Sequence, residues 1–464
     1  MQKMSQQMKN TNDTNNNSAF YDELLRKALE AGFECAEVYV SGGDSFSVSV
    51  FNGEIDKYSV TTSFGLSFRG IYGGKMGYSY SEAIDDDTIE MLIDKAKQSA
   101  AIIENDDKQF MHDGSGEYAD ASAAYYAPLG EVSAQQKIDM ALSMEKTAKD
   151  FDARIKNVPY DSVSTSSGHT LIKNTLGLDV SQKGNHYVAV VGTVAEQDGK
   201  TYMDYSFALG HDLAALDHDA MAKEAAQKTL ACIGARPVSS GKYKAVLRND
   251  VVCGLFSTFS GVFSAENAQK GLSLLAGKEG DDIAAPVVNL LDDPLRTGSV
   301  AISSFDSEGV PTYKKTIIEN GRLCTLLHNL KTANKQGGSS TGNASKGGYR
   351  GTIGVSPAIL VLESGEKSFD ELLTQMNDGI VITDLQGMHS GANTISGDFS
   401  LGAKGFLVEN GKITVPVEQI TIAGNFFTLL KQISEVGSDI YKEFSGCALE
   451  MPSVLLEELS VAGS

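Results

Sequence analysis

The chain has 464 residues, enough for two domains, and 41% of them are hydrophobic, as in an ordinary globular protein. Its 60 acidic and 39 basic residues give a formal net charge of -21. Because a surface of this charge repels phosphate backbones and anionic lipid head groups, the composition argues against direct binding to nucleic acid or to a membrane.

Cysteine usage and the N-terminal segment both indicate a cytoplasmic protein. The cysteines are far apart and form no CxxC pair, so neither a disulfide scaffold nor a zinc knuckle is predicted. Residues 1–17 are rich in Asn, Gln and Thr and lack the apolar core of a secretory signal, so we expect a disordered tail. No run of 18 apolar residues follows, and no membrane span is expected.

The segment after this tail predicts a helix followed by antiparallel strands. Apolar residues fall on one face over 19–31, and Ser18 precedes them as a helix-capping residue. Residues 35–81 alternate β-branched or aromatic residues with polar ones. The Asn52-Gly53 pair inside this stretch favours a type I′ hairpin turn, so we expect paired antiparallel strands here.

Helix and strand signals continue through the first half of the chain. Helical spacing returns at 85–103 and at 133–151. A second set of strands is predicted over about 158–209. The helix that follows ends at Gly234, shortly before Pro237.

A domain boundary is predicted where this helix gives way to a Pro/Ser/Gly stretch and a new strand, at 235–247. We therefore divide the chain into an N-terminal α+β domain at 18–237 and a mostly β C-terminal domain at 238–464. Asn-Gly pairs at Asn320 and Asn410 predict two further hairpins. Because strands and helices are segregated rather than alternating as βαβ units, the predicted fold class is α+β.

Searches for catalytic motifs give no positive result in the residues themselves. There is no GxxxxGK[ST] phosphate-binding loop, and the Gly/Ser-rich segment 337–348, which contains Lys346, is interpreted as a plain loop. The seven histidines occur singly, without an HExxH or HExxxH pair to hold zinc. No GxSxG elbow marks a serine hydrolase, although a hydrolase that uses Cys447 with a distant histidine stays an alternative.

One polar, Gly-rich segment between strands is a candidate for ligand contact. It contains His389, Ser390, Asn393 and Asp398, and loops of this composition often line binding clefts. The alternative is a surface turn in which these side chains satisfy local backbone groups.

Five segments of the second half, in the same order along the chain, resemble the C-terminal domain of the TldD/PmbA family, the "modulator of DNA gyrase" proteins. They begin with "SGKYKAVLRNDVVCGLFSTFSGVFSAENAQKGLSLLAGKEG" and include "SSFDSEGVPTYKKTIIENGRL", "TGNASKGGYRG", "GANTISGDFSLGAKGFLVENGKITVPVEQITIAGN" and "PSVLLEELSVAG". The N-terminal half agrees more loosely, through "VYVSGGDSFSVSVFNGEIDKYSVTTSFGLSFRGIYGGKMGYSYS" and "NTLGLDVSQKGNHYVAVVGTVAEQDGKTYMDYSFALGHD". The resemblance thus covers nearly the whole chain except the tail.

This resemblance implies a cytoplasmic peptidase made of two related subunits. A TldD-type subunit carries zinc and a PmbA-type subunit, also called TldE, lacks it. Together they are expected to form a heterodimer that cleaves unstructured peptides, including antibiotic-peptide precursors and antitoxins. Any effect on DNA gyrase would be indirect, through those targets.

The resemblance also places the family's zinc motif in this chain and finds it degenerate. Aligned on the shared Lys-Gly that closes the segment, Phe256 stands at the first histidine ligand, Ser257 at the catalytic glutamate and Gly261 at the second histidine. We therefore expect no catalytic residue and no metal in this chain, with zinc in a TldD-type partner. Cys447 lies near the family's third ligand and is the remaining metal candidate.

Two functions remain open from the sequence. In the first, the chain is the non-catalytic, metal-free PmbA/TldE-type partner of a TldD-type peptidase, and unstructured peptides contact it around His389, Ser390, Asn393 and Asp398. In the second, it is a stand-alone peptide-binding or regulatory homodimer without peptidase activity.

Overall fold

The computed structural model describes residues 17–104 and 107–464. The tail predicted for residues 1–17 lies outside this range apart from its last residue. Within the described residues, the α-helices of the first half are α1 Ser18–Glu30, α2 Asp86–Ala101, α3 Ala134–Phe151 and α4 His218–Ala231, and its strands are β1 Cys35–Phe51, β2 Glu54–Tyr72, β3 Lys75–Ser81, β4 Ile155–Asn174, β5 Asp179–Gln197 and β6 Lys200–Gly210. The helices and strands predicted for this half are confirmed, with ends shifted by a few residues.

Local sequence signals explain where the helices of this half begin. The Ser133 hydroxyl accepts a hydrogen bond from the Gln136 backbone N–H, and the Gln136 side chain reciprocates, which forms a capping box at the start of α3. Asp85 caps α2 and Asp217 caps α4. Each carboxylate accepts a hydrogen bond from the backbone N–H three residues later. Each cap satisfies one of the N–H groups that a helix start leaves without a partner.

The six strands of the first half form one antiparallel sheet in the order β3-β2-β1-β4-β5-β6. The predicted hairpin between β1 and β2 is confirmed, since Asn52 and Gly53 both have positive φ, 54° and 79°, as a type I′ turn requires. Helices α1 and α2 pack together with residues of β1 and β2, and α3 and α4 pack on the strands further along. Apolar residues of these helices and of the strands beneath them thus form the hydrophobic core of this half.

The second half is richer in strands. Its strands are β7 Gly241–Leu247, β8 Leu290–Asp292, β9 Lys315–Glu319, β10 Arg322–Leu323, β11 Ala344–Ser345, β12 Gly354–Val355, β13 Ile359–Leu362, β14 Gly379–Gln386, β15 Asp398–Glu409, β16 Lys412–Asn425, β17 Ile433–Val436, β18 Tyr441–Ser445, β19 Cys447–Met451 and β20 Val454–Ala462. Its helices are α5 Asn249–Phe259, α6 Ala265–Gln269, α7 Leu330–Gln336, α8 Phe369–Met376, α9 Met388–Gly391 and α10 Phe426–Gln432.

These strands form two six-stranded sheets, in the orders β10-β9-β8-β13-β19-β18 and β16-β15-β14-β7-β20-β17, together with a two-stranded pair. Most neighbours are antiparallel, while β13 with β19 and β14 with β7 are parallel. Asn320 and Asn410 have positive φ at the predicted hairpin turns. Helix α5 packs against both large sheets and lies within the largest apolar core of the protein.

The α+β class is confirmed, with antiparallel sheets and a strand-rich C-terminal half. The large N-terminal sheet uses residues 35–210 only, and the other sheets use residues 241–462 only. The boundary at 237 and 238 stays a prediction.

Within the described residues, none of the helices combines the length and the apolar character that crossing a membrane requires.

Candidate functional site

Helix α5 carries the two positions at which the sequence predicts a lost histidine ligand and a lost catalytic glutamate. Its apolar residues recur at helical spacing and face the core, where Val252, Leu255, Phe256 and Phe259 are at most 2% exposed. At its start the Arg248 guanidinium holds the Asp250 carboxylate with two hydrogen bonds of 2.6 and 2.8 Å. The helix is therefore fixed by burial on one face and by an ion pair at its N-terminus.

The buried face of α5 is an aromatic cluster. The Phe259 ring stacks on Phe426 of α10 with ring centroids 4.7 Å apart, and Phe256 meets Phe426 edge-on at 5.4 Å. Phe399 of β15 lies 6.5 Å from Phe259. A phenyl ring has no lone pair to offer a metal ion, so this side of the helix supports packing and not coordination.

The other two degenerate positions lie at the end of the helix. Ser257 is half-buried, and its carbonyl oxygen accepts a hydrogen bond from the Ser260 hydroxyl at 3.1 Å. Helix α5 ends at Phe259, so Gly261 falls in the following short 3₁₀ turn, where its carbonyl accepts from the Asn267 amide at 2.8 Å. Neither position presents a basic group.

Cys447 begins strand β19 and is 6% exposed. Burial raises the pKa of its thiol to about 12, and the nearby carboxylates of Asp292 and Glu443 add to this effect. A single thiol would supply only one of the protein ligands that a zinc ion requires. Across the described ranges, no group of three or more His, Cys, Asp or Glu side chains could hold a metal ion, so the residues of this chain do not fit the family's zinc site.

The four predicted peptide-contact residues lie on a surface loop around α9 and the start of β15, and all four are exposed. The Asn393 side-chain oxygen accepts from two backbone N–H groups of its own turn, and the Asp398 carboxylate accepts from Ser396 and Asn425. The loop touches α5 through Met388, whose sulfur lies 3.5 Å from the Thr258 hydroxyl. His389 and Ser390 are beside this contact in the chain.

Another opening lies between the two halves, in a cavity of about 570 Å³ that sequence reasoning missed. Strands β1, β4 and β5 of the N-terminal sheet form one wall, and loops of the second half form the other. Its ionisable lining residues are His169, Lys183, His186, Asp306, Lys346 and Cys447. We call this space the interdomain cavity.

Glycines recur on the sheet side of the interdomain cavity, among residues with polar side chains. Gly43 of β1 pairs with Gly168 of β4, which pairs in turn with Gly184 of β5, so three neighbouring strands carry glycine at one level. A Cβ placed on Gly168 would lie 3.8 Å from the Gly42 carbonyl oxygen, and one on Gly184 would lie 3.5 Å from the Ala124 carbonyl oxygen, so both would make ordinary van der Waals contacts. Gly42, Gly168 and Gly184 all line the cavity.

Lys346 crosses from the C-terminal loop to the N-terminal sheet. Its Nζ donates a hydrogen bond to the Ser67 hydroxyl and lies 4.3 Å from the centre of the Tyr39 ring. Burial, reinforced by the nearby Arg69 cation, lowers the pKa of the Lys346 ammonium to about 7. The interpretation of 337–348 as a plain loop missed this contact, because nothing local marks Lys346 as buried.

A buried charge network lies next to Lys346 and joins the two halves. The Arg69 Nε donates to Glu37 at 2.6 Å, and its Nη1 lies 3.5 Å from Glu308 of the second half. Asp306, on the same loop as Glu308, accepts hydrogen bonds from the backbone N–H groups of Glu308, Val310 and Ala344. Burial, with the Glu308 carboxylate adding to it, raises the pKa of Asp306 to about 7.

The fold defines a class: an α+β protein with antiparallel sheets and a strand-rich C-terminal half. Models of three PmbA/TldA metallopeptidase domains match the chain, domain 1 at residues 36–100, the central domain at 127–233 and the C-terminal domain at 240–463. The chain belongs to the PmbA/TldD family.

Relatives agree with this assignment over nearly the full length. A crystal structure of a candidate modulator of a DNA gyrase from Thermotoga maritima is 35% identical, with a TM-score of 0.89 over 96% of this chain and 100% of that one. TldE from Thermococcus kodakarensis is 26% identical with the same TM-score and coverage. "Metalloprotease PmbA" of Escherichia coli O157:H7 is 28% identical over 95% of this chain and 96% of its own length.

The family prediction from sequence is thus confirmed. The degenerate positions, the peptide-contact loop and the absence of metal in this chain stay predictions, since no comparison addresses them.

Proposed function

We propose that this chain is the PmbA/TldE-type, non-catalytic and metal-free subunit of a TldD/TldE-like zinc metallopeptidase. The zinc and the catalytic residues would belong to a TldD-type partner, and the heterodimer would cleave unstructured peptides in the cytoplasm, with any modulation of DNA gyrase being indirect. One observation carries the proposal: the helix on which the family's motif stands has its inward face filled by Phe256 and Phe259.

The physical argument concerns what a catalytic zinc site needs. Zinc requires three protein ligands with lone pairs and a neighbouring base that takes a proton from the attacking water. Phe256, Ser257 and Gly261 offer none of these groups, and Cys447 joins no group of three or more candidate ligands among the described residues. Family membership therefore supports a peptidase assembly, while these residues support a different subunit as its catalytic centre.

A non-catalytic subunit can still contribute to substrate selection and peptide binding in such an assembly. Two subunits can enclose a cavity that admits only unfolded chains, and an extended peptide can pair with an exposed strand edge. The loop with His389, Ser390, Asn393 and Asp398 is our candidate for peptide contact, because it is exposed and touches α5 through Met388. Alanine at His389 and Asn393 should reduce peptide turnover by the complex, with Lys412→Ala, on an exposed strand end, as the control.

The second candidate function is a stand-alone peptide-binding or regulatory homodimer. The observation behind it is the interdomain cavity, which is lined by polar residues of both halves of the chain. Saturable peptide binding by the isolated chain, unchanged when a TldD-type protein is added, would favour this candidate over the first.

The test is metal content combined with complex formation. The purified chain is treated with a weak chelator and its zinc is measured by elemental mass spectrometry, next to a TldD-type protein of the same organism handled in the same way. We expect zinc far below one atom per chain here, about one in the other protein, and co-purification of the two. Stoichiometric zinc in this chain, or no complex at any ratio, would contradict the proposal.

A further inference from the structure

We propose that Lys346 is a reactive amine of the interdomain cavity, which condenses with the carbonyl group of a small aldehyde to form an imine. The inference concerns a covalent bond to a side chain of this protein, so it holds or fails independently of the proposed function. It assigns a ligand site other than the loop around His389.

The contacts of Lys346 place its amine at the wall of the cavity. Nζ donates a hydrogen bond to the Ser67 hydroxyl and lies 4.3 Å from the centre of the Tyr39 ring. Val38 and Val40 pack with the helices, so Tyr39 between them and its cross-strand partner Ser67 point to the other face of the sheet. Lys346 is half-buried and lines the cavity together with Tyr39, so a ligand there can reach the amine.

The surroundings of Lys346 disfavour its charged form. Burial, reinforced by the neighbouring Arg69 cation, lowers the pKa of the ammonium to about 7, although Glu37 acts in the opposite direction. Glu37 is itself bound by the Arg69 Nε at 2.6 Å, and within the described ranges Lys346 forms no ion pair. Glu308, the next acid of this network, lies 3.5 Å from the Arg69 Nη1. A large fraction of Lys346 is therefore a neutral amine at pH 7, with a lone pair on Nζ.

Lys315 shows what a carboxylate partner changes. It is 6% exposed and its Nζ lies 4.9 Å from the centre of the Tyr313 ring, so it shares burial and an aromatic neighbour with Lys346. Its Nζ, however, pairs with the Asp292 carboxylate at 2.8 Å. This carboxylate compensates the positive charge, and an ammonium group has no lone pair with which to attack a carbonyl carbon. Lys315 is therefore the ion-paired counterpart of Lys346.

Lys137 shows what access changes. Its Nζ donates to the Thr165 hydroxyl and lies 4.6 Å from the centre of the Phe46 ring, and burial lowers its pKa. These features match those of Lys346. Lys137, however, lies between α3 and the sheet and is 7% exposed, so a ligand in solution does not reach its amine. Of the three lysines, Lys346 combines an unpaired amine with an open space beside it.

The cavity has room and hydrogen-bonding groups for a small carbonyl compound. Its volume of about 570 Å³ is that of an ordinary ligand site. Ser41, Thr170 and Ser307 line it, and the Tyr39 hydroxyl interacts with the hydroxyls of Thr170 and Ser307. Hydroxyl groups can donate to a carbonyl oxygen as negative charge develops on it. An uncharged aldehyde suits such walls, because neutral hydroxyl groups do not have to compensate a ligand charge.

Imine formation at Lys346 needs no oxidant or reductant. The Nζ lone pair forms a bond to the carbonyl carbon, and the π electron pair of the C=O bond moves to the oxygen. A proton passes from nitrogen to this oxygen and gives a carbinolamine. The nitrogen lone pair then forms the C=N bond, while the hydroxyl group and the second N–H proton leave as water. Addition of water reverses the reaction, so the aldehyde is bound reversibly.

The experiment is reductive trapping on the full-length chain without any partner. Acetaldehyde is the probe, sodium cyanoborohydride supplies the hydride that converts an imine into a stable secondary amine, and peptide mass spectrometry gives the rate at each lysine. At pH 7, Lys346 should react at least about tenfold faster than the exposed Lys412. About half of Lys346 is unprotonated at this pH, against roughly one in 2,500 for an ordinary lysine, and its weaker basicity reverses only part of this gain.

Controls in the same samples locate the effect. Lys137 and Lys315 should react much more slowly than Lys346, and in urea Lys346 and Lys412 should react alike. Between pH 7 and pH 9 the rate at Lys346 should level off, whereas the rate at Lys412 should still rise about tenfold per pH unit. Lys346→Arg keeps a positive charge without the reactive amine, so it should remove the fast phase of acetaldehyde uptake by the intact chain.

Three results would overturn the proposal. They are equal rates at Lys346 and Lys412 at pH 7, a rate at Lys346 that still rises tenfold per unit above pH 8, and a fast phase that persists in urea or in Lys346→Arg. The first two compare lysines within the folded wild-type chain, so they do not depend on whether the variant folds. Since no partner and no zinc take part, failure of the proposed function would change none of these readings.

Discussion

Helix α5 and the interdomain cavity make opposite use of their residues. Helix α5 holds the place of the family's chemistry, but its inward side chains are phenylalanines that pack against Phe426. The cavity lies in segments without a known catalytic motif, yet its lining residues include Lys346, Gln182 and several residues with hydroxyl groups. Apolar packing of this kind stabilises a fold, whereas polar groups around a cavity contribute less to stability.

The largest effect is expected in the aromatic cluster of α5. Phe426→Ala removes a ring that is fully buried between Phe256 and Phe259, so the free energy of unfolding should fall by about 3–5 kcal/mol. Urea denaturation measures the change, with Phe51→Ala as the control because Phe51 is 37% exposed. A loss below about 1 kcal/mol would mean that the cluster does not anchor the helix.

The second effect concerns the charge network beside the cavity. Arg69→Met leaves Glu37 and Glu308 buried without their cation, so the free energy of unfolding should fall by about 3–5 kcal/mol. Arg350→Met is the matched control, since Arg350 pairs with Glu82 across the same two halves but at an exposed position, where the expected loss is below about 1 kcal/mol. Equal losses in the two variants would show that burial of the network does not matter.

A smaller effect is the pH dependence caused by Lys346. Its pKa is about 7 in the folded state and lies near 10.5 when unfolded, so between these values the unfolded chain binds the proton and the folded chain does not. Stability therefore rises with pH in this window, and the wild type should gain on the order of 2 kcal/mol relative to Lys346→Met from pH 7 to pH 9.5. Denaturation of both proteins at the two pH values measures this difference. A flat difference, or the same change in Lys183→Met, would show that Lys346 is not desolvated.

The smallest effect is expected at Cys447. Its buried thiol should react with N-ethylmaleimide at pH 7.5 much more slowly than the exposed thiol of Cys324, because only the thiolate is nucleophilic. Mass spectrometry of peptides after timed labelling gives both rates. Cys447→Ser should leave peptide cleavage by a complex of this chain with a TldD-type partner unchanged. Faster labelling at Cys447 than at Cys324 would contradict this prediction and favour a reactive cysteine.

Local features of this protein could be predicted from its sequence, and its long-range geometry could not. The turn at Asn52-Gly53 and the cap at Ser133 follow from neighbouring residues, so the elements around them were found. The pairing of β1 with β4 joins residues more than 100 positions apart, and no periodicity reveals it.

The same limit explains which site residues were missed. Phe256 and Ser257 were assigned to motif positions because a motif is a short stretch of sequence, and that assignment stays a prediction. The interdomain cavity draws on β1, β4, β5 and loops as far away as Cys447, so its lysines and histidines looked scattered. In the sequence, Lys346 looks like an ordinary residue of a Gly/Ser-rich loop. Its contacts with Ser67 and Tyr39, which are far away along the chain, are visible only in the structure.

The most direct test of the central claim is peptide hydrolysis measured for this chain, for a TldD-type partner, and for the two together, on an unstructured peptide with a fluorescent reporter. The account predicts no hydrolysis by this chain alone, and zinc-dependent hydrolysis by the mixture that exceeds that of the partner alone. It also predicts that the mixture loses activity when the partner's own zinc motif is mutated. Hydrolysis by this chain alone, or continued hydrolysis by its mixture with an inactive partner variant, would contradict the account. In that case Phe256, Ser257 and Gly261 could not be a lost active site.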